Sequence, residues 1–235
     1  MKLLAIDTAT EGLSVALLLN GEITERFEVA GREHSTRLPL LVPQLLAEAG
    51  LSLRQLDGLV CGIGPGSFAG VRIGVSYVKG LALGLDRPVI GVTSLAMLAQ
   101  RALIEQADAV ALAAIDARMD EVYFGAYRLV GGVAQAQVDE TVGPASAIAP
   151  PAADSYLAIG TGWGAHREAL LAALSTAPRM IVPDALPHAA SAFAIAAPQL
   201  AAGQGTDAAR LVPAYLRNRV ALTKIEQQAL RDSRR

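Results

Sequence analysis

Two short sequence patterns occur twice along the chain, and they occur in the same order. Ala-Ile-Asp at residues 5–7 recurs at residues 114–116, and Val-Cys-Gly-Ile-Gly at residues 60–64 is echoed by Ala-Ile-Gly-Thr-Gly at residues 158–162. Short apolar strings also recur by chance, but two echoes in matching order favour an internal duplication. We therefore predict two related lobes.

The first half of the chain alternates predicted strands and helices. Apolar runs predict strands at 3–7, 13–19 and 22–29, and Asn20-Gly21 is a hairpin signal because both turn positions take positive φ. Hydrophobic periodicity then predicts a helix over 34–49, capped by Ser35, a strand at 58–63, a helix at 68–85, a strand at 88–92 and a helix over 94–105.

This β-β-β-α-β-α-β-α order is that of the ribonuclease-H-like unit from which actin-like ATPases are made. The predicted fold class is therefore α/β, a duplicated ribonuclease-H-like (actin-like ATPase) fold with two lobes. Residues 1–104 form the first lobe, and residues 105–235 form a second, degenerate lobe whose C-terminal helix or tail can return to the first. Within the second lobe we predict helices at 164–174 and 188–202, and a loop at 142–155.

Composition and charge restrict the possible functions. Aromatic residues make up only 4% of the chain, which disfavours an aromatic platform for stacking bases. The net charge is −2, whereas proteins that bind tRNA alone usually present a basic face. Residues 217–235 carry six Lys and Arg against two acidic residues, a net charge of +4 that leaves −6 for the rest. We interpret this tail as a solvated terminus, with an RNA-binding arm as the alternative.

The cysteine content and the hydropathy indicate a location. One cysteine, Cys61, excludes a disulfide within the chain and a cysteine-rich metal site, and it suits a reducing compartment. The first residues show no signal-peptide pattern. The long uncharged stretch after Asp184 is rich in alanine and contains Pro187 and Pro198, which argues against a membrane span. We expect a cytoplasmic protein without membrane contact.

The turn after the first strand is the first candidate site. In an actin-like ATPase this turn holds phosphate: its carboxylate positions Mg²⁺ through water, and N–H groups and hydroxyls bind the phosphate oxygens. The candidate residues here are Asp7, Thr8 and Thr10, but Ala9 and Thr10 stand where close phosphate approach needs a glycine. A turn held by its own Asp and Thr hydrogen bonds is favoured over a vestigial nucleotide turn.

The matching turn of the second half contains Asp116 and Arg118, and it also lacks a glycine. Arg118 can pair with Asp7 or with Asp116 across the predicted cleft. Two turns without glycine argue against ATP hydrolysis more strongly than one does.

Residues 62–74 form a glycine-rich segment that opens a helix. It contains Gly64, Pro65, Gly66 and Ser67. It resembles a phosphate loop, but it lacks the Gly-Lys-Ser/Thr ending of a P-loop and does not follow the first strand as a Rossmann fingerprint does. Ser67 would be a hydrolase nucleophile only with a base, and no histidine is close in sequence. We predict neither a hydrolase site nor a metal site.

Glycines recur at four-residue steps within the helix at 68–85, at Gly70 and Gly74 and again at Gly80 and Gly84. An interior glycine costs about 1 kcal/mol relative to alanine, so we expect close packing against this helix. The alternatives are the protein's own sheet and a helix of another subunit. The helix at 34–49 favours another subunit, because it carries apolar residues outside its core stripe, namely Leu40, Pro43 and Ala47.

These segments together resemble the TsaB family, also called YeaZ. The resemblance covers nearly the whole chain and rests on residues 5–10, 34–35, 64–74, 79–82, 114–119 and 215–217. Gly-Pro-Gly-Ser-Phe at 64–68 with its helix is highly specific, whereas the Asp-Thr turn alone would be weak.

The resemblance implies a function in tRNA modification. TsaB proteins are paralogues of TsaD, the subunit that transfers threonylcarbamoyl from its adenylate to N6 of adenosine 37 in tRNAs that read codons beginning with A. TsaD-like subunits keep a histidine–metal site, for which this sequence has no equivalent histidine pair. The implied role is a non-catalytic subunit required with TsaD and TsaE. It has no cofactor of its own, and ATP or ADP is bound by the assembled complex.

The resemblance also implies the partners. TsaB pairs with TsaD through its first-lobe helices, TsaE, an ATPase, docks on that pair, and TsaB self-associates through the same helices. Contact with tRNA is only indirect. The implied interface uses the helices at 34–49 and 68–85, with Leu38, Leu41, Leu45, Gly70, Val71, Gly74, Val78 and Leu81.

Two other functions stay open at the level of sequence. An active actin-like ATPase or small-molecule kinase would use Asp7 and Asp116. An RNA-binding module would use the basic tail, and deletion of residues 220–235 would then weaken tRNA binding in a salt-dependent way.

Overall fold

The computed structural model describes residues 1–217. The strands are β1 (Lys2–Asp7), β2 (Gly12–Leu19), β3 (Glu22–Val29), β4 (Gly58–Gly62), β5 (Val89–Val92), β6 (Val110–Arg118), β7 (Glu121–Val130), β8 (Val133–Ala136), β9 (Thr141–Pro144), β10 (Tyr156–Ile159) and β11 (Met180–Val182). The helices are α1 (His34–Glu48), α2 (Phe68–Leu85), α3 (Ser94–Glu105), α4 (Gly162–Ala165), α5 (Arg167–Ala172) and α6 (Ala192–Ala201), and short 3₁₀ turns lie at 53–55, 145–147, 189–191 and 208–210.

Two sheets with one topology carry the fold. The first has the strand order β3-β2-β1-β4-β5, and the second has the order β8-β7-β6-β10-β11, with β9 added beside β7. In both sheets the first three strands in sequence form an antiparallel meander, β1-β2-β3 and β6-β7-β8. Two further strands then pair in parallel, β4 and β5 beside β1 and β10 and β11 beside β6. The predicted duplication and the actin-like, ribonuclease-H-like fold class are thus confirmed.

The helices are exchanged between the two lobes. The buried faces of α1 and α2 pack on one side of the first sheet. The other side of that sheet is covered by α6, whose Phe193 and Ala196 pack with Leu3 and Ala5. The second sheet is covered on one side by α3 and on the other by the region of α4 and α5. The strands of the first sheet end at Val92 and those of the second begin at Val110, but the helices do not divide between the lobes in this way.

Side-chain caps stabilise the N-termini of two of the first three helices. Ser67 caps α2 by accepting a 3.3 Å hydrogen bond from the Gly70 N–H, and Thr93 caps α3 in the same way. The predicted cap of α1 at Ser35 is wrong, because α1 already begins at His34 and its N-cap, Glu33, makes no side-chain cap hydrogen bond. Thr and Ser caps are favoured where the preceding backbone is extended, as it is at Ser67 and Thr93.

The segment predicted as a loop at 142–155 is only partly irregular. Strand β9 pairs antiparallel with β7 from Phe124 opposite Thr141 to Glu121 opposite Pro144. Its short length and its proline and glycine hide the strand signal in the sequence.

Helix α2 is long and apolar enough, by length and composition, to cross a membrane. A third of the residues of α2 are buried in the protein. Among them, Val71, Val75 and Val78 belong to the core of the first lobe. Such a pattern also arises in core helices of α/β folds.

Candidate functional site

A cleft with a volume of about 470 Å³ lies between the two lobes. Three segments that the sequence singled out meet there: the β1–β2 turn, the glycine-rich loop before α2, and the β6–β7 turn. The lining residues are Ala9, Thr10, Glu11, Gly31, Pro65, Gly66, Ser67, Phe68, Val71, Ile115, Asp116, Ala117, Arg118, Tyr123, Thr161, Ala214, Tyr215, Leu216 and Arg217.

Asp7 is buried beside the turn instead of lining the cleft. Its side chain is 1% exposed, and its carboxylate accepts hydrogen bonds from the Ala9 N–H at 3.1 Å and the Ser94 hydroxyl at 3.4 Å. Gly62 lies so close that a Cβ there would overlap the carboxylate. Burial raises the pKa of Asp7 to about 7, although these hydrogen bonds act in the opposite direction.

The hydroxyls of this turn serve the turn itself. The Thr8 hydroxyl donates to the Gly70 carbonyl at 2.7 Å, and Thr10 Oγ1 accepts from the Gly12 N–H at 3.3 Å. Both threonines are buried. Side-chain hydrogen bonds thus hold the turn. This agrees with the interpretation favoured from the sequence, a turn held by its own Asp and Thr side chains.

The glycine-rich loop packs against the same turn. The Ser67 N–H donates to the Ala9 carbonyl at 2.6 Å, and a Cβ on Gly66 would overlap that carbonyl. Gly64 has a φ of +87°, and its carbonyl accepts from the Ser94 N–H. The loop therefore needs its glycines for contact with the chain's own backbone.

Ser67 has no base beside it among the described contacts. His34 Nε2 lies 3.2 Å from the Gly12 carbonyl, His166 contacts Asp116, and His188 contacts Glu25. Each histidine is thus engaged elsewhere, and the geometry gives no support to a hydrolase.

Asp116 is also engaged within its own lobe. Arg118 pairs with it at 2.8 Å from Nη1, the Arg118 N–H donates to its other oxygen at 2.8 Å, and His166 Nε2 lies 3.4 Å away. Arg118, Met119 and Asp120 all have positive φ, which makes this a tight turn without glycine. Of the two predicted partners of Arg118, the structure selects Asp116 and places the pair inside one turn.

Three features in or beside the cleft were not found from the sequence. His166 and Thr161 come from the second lobe, and Thr161 Oγ1 accepts the Asp116 N–H at 3.1 Å. Residues 214–217 also line the cleft, although the sequence marked 215–217 only as a family motif and Arg217 as part of the basic tail. No local pattern joins segments this far apart in the chain.

Within residues 1–217, no three His, Cys, Asp or Glu side chains are grouped so that they could hold a metal ion. The basic tail considered as an RNA-binding arm lies outside the described residues, apart from Arg217.

The residues proposed for a partner interface require a correction. Leu38, Leu41, Leu45, Val71 and Val78 are at most 6% exposed, and they pack in the core of the first lobe. Gly70 and Gly74 face Thr8, where a Cβ would clash, and Leu81 is only partly buried against the same core. Helical periodicity marked the stripe that faces the protein's own sheet, so these side chains are not available to a partner.

The opposite faces of the same helices are open. Leu40 on α1 is 60% exposed and Leu83 on α2 is 79% exposed. Pro43 and Ala47 are exposed on α1. A Cβ at Gly80 or Gly84 would meet nothing within 4 Å. We call these residues of α1 and α2 the outer face.

Comparisons with known proteins agree with one another. The family model TsaD, described as tRNA N6-adenosine threonylcarbamoyltransferase, matches residues 26–223. The tRNA threonylcarbamoyladenosine biosynthesis protein TsaB of Escherichia coli (strain K12) is 38% identical, over 96% of this chain and 98% of that protein. The protein of the same name from Haemophilus influenzae is also 38% identical, over 96% and 97%.

A solved structure shows the same likeness in three dimensions. YeaZ from Pseudomonas aeruginosa superimposes with a TM-score of 0.85 at 42% identity, covering 92% of this chain and 99% of that one. Sequence and structure thus point to one set of relatives along nearly the whole chain.

Proposed function

The chain belongs to the TsaB (YeaZ) family of tRNA threonylcarbamoyladenosine biosynthesis proteins, and on that premise we propose that it is a non-catalytic subunit required by a TsaD-type transferase. Transfer of threonylcarbamoyl to N6 of adenosine 37 takes place on the TsaD-type chain. This chain docks on it through the outer face. It needs no cofactor of its own, and the assembled complex holds ATP or ADP.

The first support for a non-catalytic role comes from Asp7. A phosphoryl-transfer site of this fold needs an ionised carboxylate that faces the nucleotide and positions Mg²⁺. Asp7 is buried, and its carboxylate is directed to Ala9 and Ser94. Burial raises the pKa of Asp7 to about 7, and a protonated carboxyl group is a poor ligand for magnesium.

The observation that carries the docking role is the outer face. Leu40 and Leu83 expose most of their apolar surface, and Gly80 and Gly84 leave the helix backbone open to close approach. An interior glycine costs about 1 kcal/mol of helix stability, and the fold of this chain gives these two no packing role. Exposed apolar surface on helices is often a protein–protein contact site.

We propose the other partners on the basis of membership of the family. A second copy of the chain would use the same outer face, so homodimer and TsaD-type heterodimer exclude each other. TsaE contacts the TsaB–TsaD pair, and tRNA reaches this chain only through that assembly. The assembly operates in the cytoplasm.

Gel filtration and titration with the TsaD-type protein of the same organism test the proposal. Leu83→Asp places a charge in the contact and is expected to weaken binding about 10-fold or more, which corresponds to about 1.4 kcal/mol. Gly80→Leu should act similarly by blocking close approach.

The matched control is Ile104→Asp. Ile104 is also an exposed aliphatic residue, at 64%, but it lies on α3 over the second sheet. Its variant should bind as the parent does. If Leu83→Asp and Gly80→Leu both retain parental affinity, the outer face is not the docking site and the proposal fails.

A further inference from the structure

The chain from Thr206 to Arg217 runs from the edge of the first sheet to the second lobe. We call residues 206–217 the strap. At its start, the backbones of Thr206 and Val89 exchange hydrogen bonds of 2.9 and 3.0 Å. Next to this bridge, Lys79 on α2 donates to the Ala209 carbonyl at 3.4 Å. The strap is therefore fixed to the first lobe from its beginning.

The middle of the strap is fixed to the first lobe as well. Leu211 is 4% exposed and belongs to the core beneath α2. The Ala214 N–H donates to the Ile63 carbonyl at 2.8 Å, directly after β4. The Tyr215 hydroxyl accepts a 2.8 Å hydrogen bond from Arg72 Nε on α2. Up to Tyr215, the strap moves with the first lobe.

Arg217 contacts the other lobe. Its Nη2 donates to the Ala117 carbonyl at 3.2 Å and also pairs with the Glu121 carboxylate. Ala117 is the penultimate residue of β6 and Glu121 begins β7, so both belong to the second lobe. The two charged side chains are 21% and 33% exposed, which shields the pair partly from water and salt. Among the described hydrogen bonds and ion pairs of the strap, those of Arg217 reach the second lobe.

This contact lies where it can control the cleft. Residues 214–217 and residues 115–118 both line the cleft, and Arg217 contacts Ala117 there. The chain otherwise crosses between the sheets along α3 and again between β11 and residue 189. Contacts of α3 with α6 and of Thr93 with Glu140 join the lobes on the side of these crossings. Hinge opening and closure of two domains around a cleft is a recognised type of domain motion.

We propose that the strap is a latch that sets the opening of the interlobe cleft, with Arg217 as its catch on Ala117 and Glu121. The strap is anchored on the first lobe at Val89, Ile63 and Arg72, and a single arginine side chain joins it to the second lobe. Release of Arg217 lets the lobes separate while each keeps its own core. The inference goes beyond the docking role, since it concerns the chain alone.

The distance between the lobes tests the latch. Spin labels are attached to cysteines introduced at Arg32, which is exposed next to the cleft residue Gly31, and at Arg167, which is exposed at the start of α5. The native Cys61 is fully buried and does not compete for the label. Pulsed electron–electron double resonance then gives the distribution of distances between the two labels in the full chain without any partner.

Arg217→Ala is expected to broaden the distribution and to lengthen the mean distance by more than about 2 Å, the scale of a domain rearrangement. The matched control is Arg210→Ala, an exposed arginine in the same strap, which should leave the distribution unchanged. Arg217→Glu should open the cleft, and its combination with Glu121→Arg should close it part of the way. The exchange restores the ion pair, but a carboxylate at position 217 cannot donate to the Ala117 carbonyl.

Glu121→Gln keeps the size of the side chain and the Ala117 contact, so it serves as a milder variant if Arg217→Ala does not fold. It should give an intermediate widening. Parental distributions in both Arg217→Ala and Glu121→Gln, or equal widening in Arg210→Ala, would overturn the latch. A charge-reversed pair that stays open would show that the ion pair is not the catch.

Discussion

The hydroxyl of Thr8 donates a 2.7 Å hydrogen bond to the carbonyl of Gly70, and this contact fixes the β1–β2 turn to the first turn of α2. A Cβ at Gly70 would overlap the Thr8 carbonyl oxygen, and one at Gly74 would lie 2.5 Å from Thr8 Oγ1. Helix α2 therefore packs directly against the β1–β2 turn.

Gly70→Ala should destabilise the first lobe. The added methyl group meets a backbone carbonyl that cannot move aside by changing a rotamer, and such overpacking costs about 1–3 kcal/mol. Gly80→Ala on the same helix is the control, since it meets open space and replaces a poor helix former, which should stabilise by about 0.5–1 kcal/mol. Urea denaturation measures both, and a Gly70→Ala variant as stable as the parent would contradict the packing argument.

Asp7 should make stability fall with rising pH. Burial raises its pKa from 3.8 to about 7, so between these values the folded state keeps a proton that the unfolded state has lost. The folded state binds more protons there, and the free energy of unfolding therefore decreases as pH rises from about 4 to about 7.

Asp7→Asn removes this titration while it keeps the size of the side chain. The variant should gain stability relative to the parent as pH rises through this window, with the smallest difference near pH 4. Denaturation midpoints of both proteins across the range check the sign. A gain that grows toward acid pH instead would show that Asp7 is ionised in the folded state.

The elements that were predicted most accurately are those whose signals are local. Helices α2 and α3 were expected at 68–85 and 94–105, and their bounds agree with the structure. Both combine a hydrophobic stripe with an extended Ser or Thr before the first turn, and neither signal depends on the rest of the chain.

What failed depends on long-range packing. The stripe with Leu38, Leu45 and Val78 looks the same in the sequence whether it faces the protein's own sheet or a partner, and the structure buries it on the sheet. The exchange of α3 and α6 between the sheets has no local signal either. The contact of Arg217 with Glu121 joins residues 96 positions apart, so neither residue indicates the other.

Glu25 should hold the crossing segment before α6 onto the first sheet. Burial raises the pKa of Glu25, but hydrogen bonds from His188, Ser14 and the Ala190 N–H outweigh this effect and hold the pKa below its usual value. A depressed pKa means that this contribution to stability is present above pH 4.5 and is lost as pH falls further. Glu25→Gln should cost about 1–3 kcal/mol, because buried donors lose a charged acceptor.

Glu28→Gln is the control for Glu25→Gln, since Glu28 lies three residues later on the same strand. It pairs with Arg37 near the surface, where ion pairs contribute little. Hydrogen exchange should show faster opening of residues 188–201 in Glu25→Gln and not in Glu28→Gln. Equal protection in the two variants would show that Glu25 does not retain this segment.

The chain alone should not bind Mg-ATP tightly. The carboxylate that would position magnesium is buried against Ala9 and Ser94, and Asp116 is paired with Arg118 in its own turn. Calorimetric titration of the free chain should therefore show no saturable binding below about 1 mM, which corresponds to a binding free energy weaker than about −4 kcal/mol. Asp7→Asn and Asp116→Asn should leave the titration unchanged. If the chain instead binds Mg-ATP tightly and hydrolyses it, and Asp7→Asn abolishes the hydrolysis, the chain is an active ATPase. The β1–β2 turn would then have to rearrange so that Asp7 reaches the nucleotide.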